Sequence, residues 1–113
     1  MSARVVTDVS FDSEVLHSPR PVIVEYWAQW CGPCRQVAPV LDSIAAEYAG
    51  RVDLVKINVD ENPATAQRYG ILAVPTVSVF IDGGVARQVT GAKSRAVLLR
   101  EFGEFLGQSS PLP

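Results

Sequence analysis

The only two cysteines of the chain, Cys31 and Cys34, stand in the run Trp30-Cys31-Gly32-Pro33-Cys34. Two thiols at this spacing can close a small disulfide ring across the start of a helix. A chain that commits both of its cysteines to such a pair is equipped for thiol chemistry with a partner rather than for stapling itself together. The reactive species is the thiolate. Cys31 follows a β-prone run and falls at the mouth of a helix, where unpaired backbone N–H groups and the positive end of the helix dipole favour a negative sulfur. Pro33 suits the first helical turn, because its missing N–H would have no partner there. Cys34 falls one turn further in and is expected to be the more buried of the two. Cys31 is therefore read as the nucleophile that attacks a partner's disulfide, and Cys34 as the thiol that resolves the mixed disulfide. The partner leaves as a dithiol, this chain leaves as a disulfide, and an external reductant restores it.

Other uses of the pair fit less well. A zinc site needs four ligands, and His17 is the sole histidine, with no second cysteine pair to help it, so no metal is expected. A purely structural disulfide around so short a loop would remove little chain entropy. Two further readings differ in direction or class: a disulfide donor or isomerase, and a scaffold that uses the surface around Trp30 instead of the thiols.

The elements that must position the cysteines are legible in the apolar pattern. Val22 to Trp27 is nearly continuous apolar and β-branched, the mark of a central strand buried on both faces. After the cysteines, Val37, Val40, Leu41, Ile44, Ala45 and Tyr48 recur at helical spacing, with Gly50 as C-cap and Pro39 expected to kink the helix. Val52 to Val59 is a second central strand, and Asn62-Pro63 opens a short helix ended by Gly70. Val74 to Ile81 is a third strand, turned by Asp82-Gly83-Gly84 into an antiparallel return over Val85 to Thr90. Val97, Leu98, Phe102, Phe105 and Leu106 give the apolar face of a last helix from about Ser94. Before all of these, Val5 to Thr7 reads as an edge strand and Ser10 as the N-cap of a short helix carrying Phe11, Val15 and Leu16. The order β-α-β-α-β-α-β-β-α predicts a three-layer α/β sandwich around a mixed sheet.

With 113 residues, 48% of them hydrophobic, the chain is expected to form a single domain over 1–113, with a frayed tail at about 108–113. The net charge of -2 and the lack of a basic run speak against nucleic acid and anionic membrane as partners. The first ten residues hold no signal-peptide core, and no long uncharged apolar run occurs, so a cytoplasmic protein is expected. Nothing suggests an obligate oligomer, and a monomer is the expectation.

Trp27-Ala28-Gln29-Trp30-Cys31-Gly32-Pro33-Cys34-Arg35 resembles the active-site motif of the thioredoxin family. Val74-Pro75-Thr76 resembles the family's cis-proline segment, and Lys56 to Asp60 followed by Asn62-Pro63, together with Pro39, Gly83 and Gly91, fits the same pattern. The match runs from about Val5 to Leu106. It implies the thioredoxin fold, with a central mixed sheet of about five strands flanked by four helices. It implies a protein disulfide reductase without a bound cofactor, re-reduced by a flavoprotein thioredoxin reductase that draws on NADPH. The resemblance further implies a cis bond before Pro75, and a shallow apolar docking surface for disulfide-containing proteins formed by Trp30, Gly32, Pro33, Val74, Pro75, Gly91 and Ala92. One position departs from the family. Glu25 stands where a buried aspartate usually handles the Cys34 proton. A carboxylate within a doubly buried strand should have a raised pKa, which suits proton transfer near neutrality. Glu25 and Lys56 are accordingly taken with Cys31 and Cys34 as the catalytic group; the alternative is that Glu25 turns aside to pair with Lys56 on the adjacent strand.

Overall fold

The run Val22–Trp27 lacks the polar–apolar alternation of a half-exposed strand. In the computed structural model, which describes residues 3–107, it forms the central strand β2, buried at every position but the last. Parallel to it lies β3 (Asp53–Asn58), and antiparallel on its other side β4 (Thr76–Ile81). The short β1 (Arg4–Val5) runs parallel to β3 at one edge, and β5 (Gly84–Thr90) pairs antiparallel with β4 at the other. The sheet is five-stranded and mixed, as the pattern predicts, and its strands lie in the order β1-β3-β2-β4-β5.

Side-chain alternation along β2 divides the core. Ile23 faces the side covered by the long helix α1 (Gly32–Glu47) and the last helix α3 (Arg95–Leu106), where Val37, Leu41, Ile44, Leu98, Phe102 and Leu106 pack on it. Val22, Val24 and Tyr26 face the opposite layer, built from a π-helical turn at Asp12–Leu16 and, following α2 (Pro63–Arg68), from Tyr69 and Ile71. Phe11, Tyr69 and Phe80 meet there with ring centroids 5.1 to 5.6 Å apart, edge-on or tilted. Because successive residues alternate, Glu25 shares the face of Ile23 and is directed toward α1.

Local signals set several boundaries. Ser94 caps α3 by accepting the Val97 N–H at 3.2 Å. Asp82 and Gly83, with φ of 52° and 83°, make the two-residue turn between β4 and β5. A Cβ at Gly83 would stand 3.3 Å from the Leu16 carbonyl, so the turn closes directly on the π-helical segment.

Some boundaries move. The first strand is Arg4–Val5 and ends two residues before the expected Thr7, although the Val6 N–H still reaches the Lys56 carbonyl at 2.9 Å. Ser10 does not cap the short helix: its hydroxyl accepts the Thr7 N–H at 2.9 Å, and the helix starts without a side-chain cap. The long helix ends at Glu47 with Tyr48 as its C-cap, and Gly50 follows in left-handed conformation at φ 85°. Pro39 lies inside α1 without ending it. The expected fray at 108–113 lies outside the described residues.

Candidate redox active site

The buried strand β2 runs out at Trp27 and delivers the chain to the N-terminus of α1. Cys31 is the N-cap residue of that helix, extended at φ -91° and ψ 104°, with its own N–H held by the Ala28 carbonyl at 3.1 Å. Its sulfur accepts the Cys34 N–H at 3.2 Å. A sulfur in this position meets the backbone donors that the first helical turn cannot satisfy internally, so negative charge on it is favoured. Pro33 occupies the first turn, as its absent N–H permits.

Cys31 and Cys34 are joined as a disulfide, with their Cα atoms 5.4 Å apart. Each is 3% exposed, so the expected difference in burial does not exist in this state. Joined to each other, both lie under the same cover of Ala28, Trp27, Val59 and Val74. What separates them is position: Cys31 caps the helix from outside and Cys34 lies within its first turn.

The Val74–Pro75 peptide bond is cis. Val74 packs against the cysteine pair, and the Pro75 carbonyl accepts the Gly91 N–H at 2.8 Å, which brings the end of β5 to the same rim. Around it Trp30, Gly32, Pro33 and Ala92 are exposed, with Val74 and Gly91 half-buried. Pro75 is buried and offers little surface of its own. It directly precedes β4, which starts at Thr76. Sequence reasoning passed over four residues here. Val59, Ile71, Leu72 and Ala73 join Trp30 and Val74 around a cleft of about 100 Å³. Leu72, 97% exposed, was the available signal, an apolar residue in a loop that no helical or strand period requires.

Glu25 is 4% exposed. Its neighbours include Cys34, Cys31, Trp27 and Lys56, which with it line a cavity of about 230 Å³ beneath the disulfide. Burial is the main force on its carboxyl and pushes the pKa from 4.5 to about 7; the Lys56 charge opposes the rise and the Asp42 charge adds to it. Lys56 lies opposite Glu25 in the β2–β3 register, yet no Glu25–Lys56 ion pair forms among the described residues. The ammonium instead stands over the Trp27 ring, 4.8 Å from its centroid. The pairing alternative for Glu25 is thus not the arrangement adopted. Arg35, exposed on the first turns of α1, donates from Nη2 to the Gln29 carbonyl at 2.8 Å and ties the loop before the cysteines to the helix.

Among the described residues no group of three His, Cys, Asp or Glu side chains is placed to hold a metal ion. Among the described residues no helix is long and apolar enough to cross a membrane. The site brings together a sulfur at a helix start, a second sulfur bonded to it, and a buried carboxyl whose pKa burial raises to about 7.

The thioredoxin family model matches residues 2–103. A thioredoxin of Streptomyces clavuligerus is 50% identical over 95 residues, covering 84% of this chain and 88% of its own. Thioredoxin 1 of Synechococcus elongatus is 48% identical over 104 residues, covering 92% and 97%. A thioredoxin of Mycobacterium tuberculosis is 48% identical over 99 residues, covering 88% and 85%.

Proposed function

The chain belongs to the thioredoxin family and is a thiol–disulfide oxidoreductase with protein-disulfide reductase activity; from that premise we propose that Cys31 is the attacking sulfur and Cys34 the resolving one. The observation that carries this assignment is the place of Cys31 as N-cap of α1, its sulfur facing unpaired backbone donors. In the reduced protein the Cys31 thiolate attacks one sulfur of a protein disulfide, and the other sulfur leaves as a thiolate. Cys34 then gives up its proton and attacks Cys31 Sγ. The bond from Cys31 to the substrate breaks, the second substrate sulfur leaves as a thiolate, and the Cys31–Cys34 disulfide forms.

Glu25 is proposed to receive the Cys34 proton and to return it during re-reduction. Its burial below the sulfurs, in the same cavity, and a pKa of about 7 support the role. Lys56 is proposed to act on this carboxyl through its charge, lowering the carboxyl's pKa against the pull of burial. Disulfide-containing proteins would dock on the apolar rim of Trp30, Gly32, Pro33, Val74, Gly91 and Ala92, with Pro75 setting the course of the chain beneath it.

Thioredoxins act on protein disulfides and are served by a reductase. For this chain we take the reductase to be a flavoprotein that passes electrons from NADPH, with no cofactor bound to the chain itself. A monomer, one domain over 1–113 and a place in the cytoplasm complete the proposal.

The test is NADPH oxidation in a coupled assay with a thioredoxin reductase and insulin. Turnover should vanish in Cys31→Ser, and Cys34→Ser should accumulate the mixed disulfide. A Cys31→Ser protein that still turns over, or a Cys34→Ser protein that traps nothing, would reverse the assignment.

A further inference from the structure

Trp30 is 70% exposed, yet its indole is held: Nε1 donates to Asp60 Oδ2 at 2.8 Å. Asp60 follows β3 in a loop whose backbone is fixed by side chains. Asn58, buried, accepts the Asp60 N–H at 2.9 Å and the Glu61 N–H at 3.2 Å on its Oδ1. Asn62, also buried, donates to the Asn58 carbonyl at 3.0 Å and accepts the Asp8 N–H at 2.8 Å. Asp8 in turn accepts the Thr65 N–H at 2.8 Å and the Ala64 N–H at 3.2 Å at the start of α2. The carboxylate that meets the exposed indole therefore stands on a braced base.

We propose that Asp60 is a positioning residue for protein-disulfide reduction: it holds the Trp30 ring as the standing wall of the cleft whose other side is Ile71 to Val74, and so sets how well a protein disulfide docks beside Cys31. The inference rests on the reading of Trp30 as a docking residue. An exposed tryptophan has two free side-chain torsions, and with no anchor its ring would sample positions that cover the cleft or leave it without a wall. Only the fraction of molecules presenting the cleft would bind, and apparent affinity would fall by that fraction. A charge-assisted hydrogen bond at 2.8 Å confines the ring in advance. An exposed bond of this kind is worth about 1 kcal/mol, a factor of about five in that population.

The experiment compares Asp60→Ala and Asp60→Asn with the wild-type full chain. Asn keeps an acceptor oxygen for the indole and removes the charge. KM and kcat for insulin are read at saturating reductase, alongside the rate with hydroxyethyl disulfide, a substrate too small to need the cleft. Solvent exchange of the Trp30 indole N–H is read by NMR. Asp60→Ala should raise the insulin KM about fivefold with kcat and the small-disulfide rate unchanged, and should speed indole exchange. Asp60→Asn should restore most of both. Equal slowing on insulin and hydroxyethyl disulfide would overturn the proposal, as would an Asp60→Asn protein as impaired as Asp60→Ala. Trp30→Ala separates the two layers of the argument. If it raises the insulin KM while Asp60→Ala does not, the docking role of Trp30 stands and the role of Asp60 falls. If neither changes KM, both fall.

Discussion

Replacing Glu25 with glutamine keeps the size of the side chain and removes its titration, and the consequence follows from the buried position. A carboxyl with pKa 4.5 in the unfolded chain and about 7 in the folded one binds its proton more tightly when folded. Between those values the folded state holds more protons than the unfolded state, so stability falls as pH rises. At about 1.4 kcal/mol per unit, the full penalty for the ionised carboxylate is about 3 kcal/mol, reached above pH 8 and nearly absent at and below pH 4.5. Contact of the carboxylate with solvent in the cavity trims this toward about 2 kcal/mol. Glu25→Gln should therefore gain about 2–3 kcal/mol on the oxidised wild type between pH 4.5 and pH 8.5. With a urea slope of about 2 kcal/mol/M, the relative midpoint moves by about 1–1.5 M. Urea unfolding of both proteins at the two pH values measures this, and any constant effect of the amide cancels in the difference. The same variant should resolve a mixed disulfide about 100-fold more slowly near pH 7, at the low end of general-base contributions, and should lose the inflection near pH 7 in the resolution rate. Parallel pH dependence of stability in the two proteins would refute the buried, pKa-raised carboxyl. An unchanged resolution rate would refute its part in proton transfer.

Other outcomes follow from particular contacts. Asp8→Ala should lower the melting temperature at pH 7, because the carboxylate accepts two N–H groups at the start of α2. The Asp8 carboxyl is held below its usual pKa, mainly by its bonds to Thr65, so the deficit should shrink in scans taken down to pH 3, as the wild type loses the same bonds on protonation. Ser94→Ala removes the cap of α3 and should cost about 1 kcal/mol in urea unfolding with activity on insulin unchanged. Phe102→Ala opens a cavity between α3 and the sheet and should cost about 3–5 kcal/mol by the same measurement; a loss below about 1 kcal/mol would mean that the site collapses to fill it.

Short-range features were legible because their causes lie within a few residues. The Cys31 cap, Pro33 in the first turn, the Ser94 cap and the Asp82-Gly83 turn each depend on contacts three or four positions apart. The doubly buried β2 was legible because a strand apolar at every position but Glu25 needs cover on both faces. Ser10 shows where such reasoning fails. A serine before an apolar period is a cap signal, but a local turn at Thr7 claims the hydroxyl first.

From sequence alone came the order of elements, the mixed sheet, the dithiol at a helix start and the odd carboxylate in a buried strand. Each follows from residue type and period, which act through local backbone geometry and through the cost of leaving apolar surface in water. Tertiary structure decided the partners. Lys56 could have met Glu25, but it stands over Trp27, and burial holds the Glu25 carboxyl above its usual pKa. Trp30 meets Asp60 across 30 residues, and Asp8 reaches the first turn of α2 across 56 and 57. These contacts depend on which chain segments the sheet order places side by side. No period or propensity encodes that, because the energy of each pair is realised only after the elements have packed.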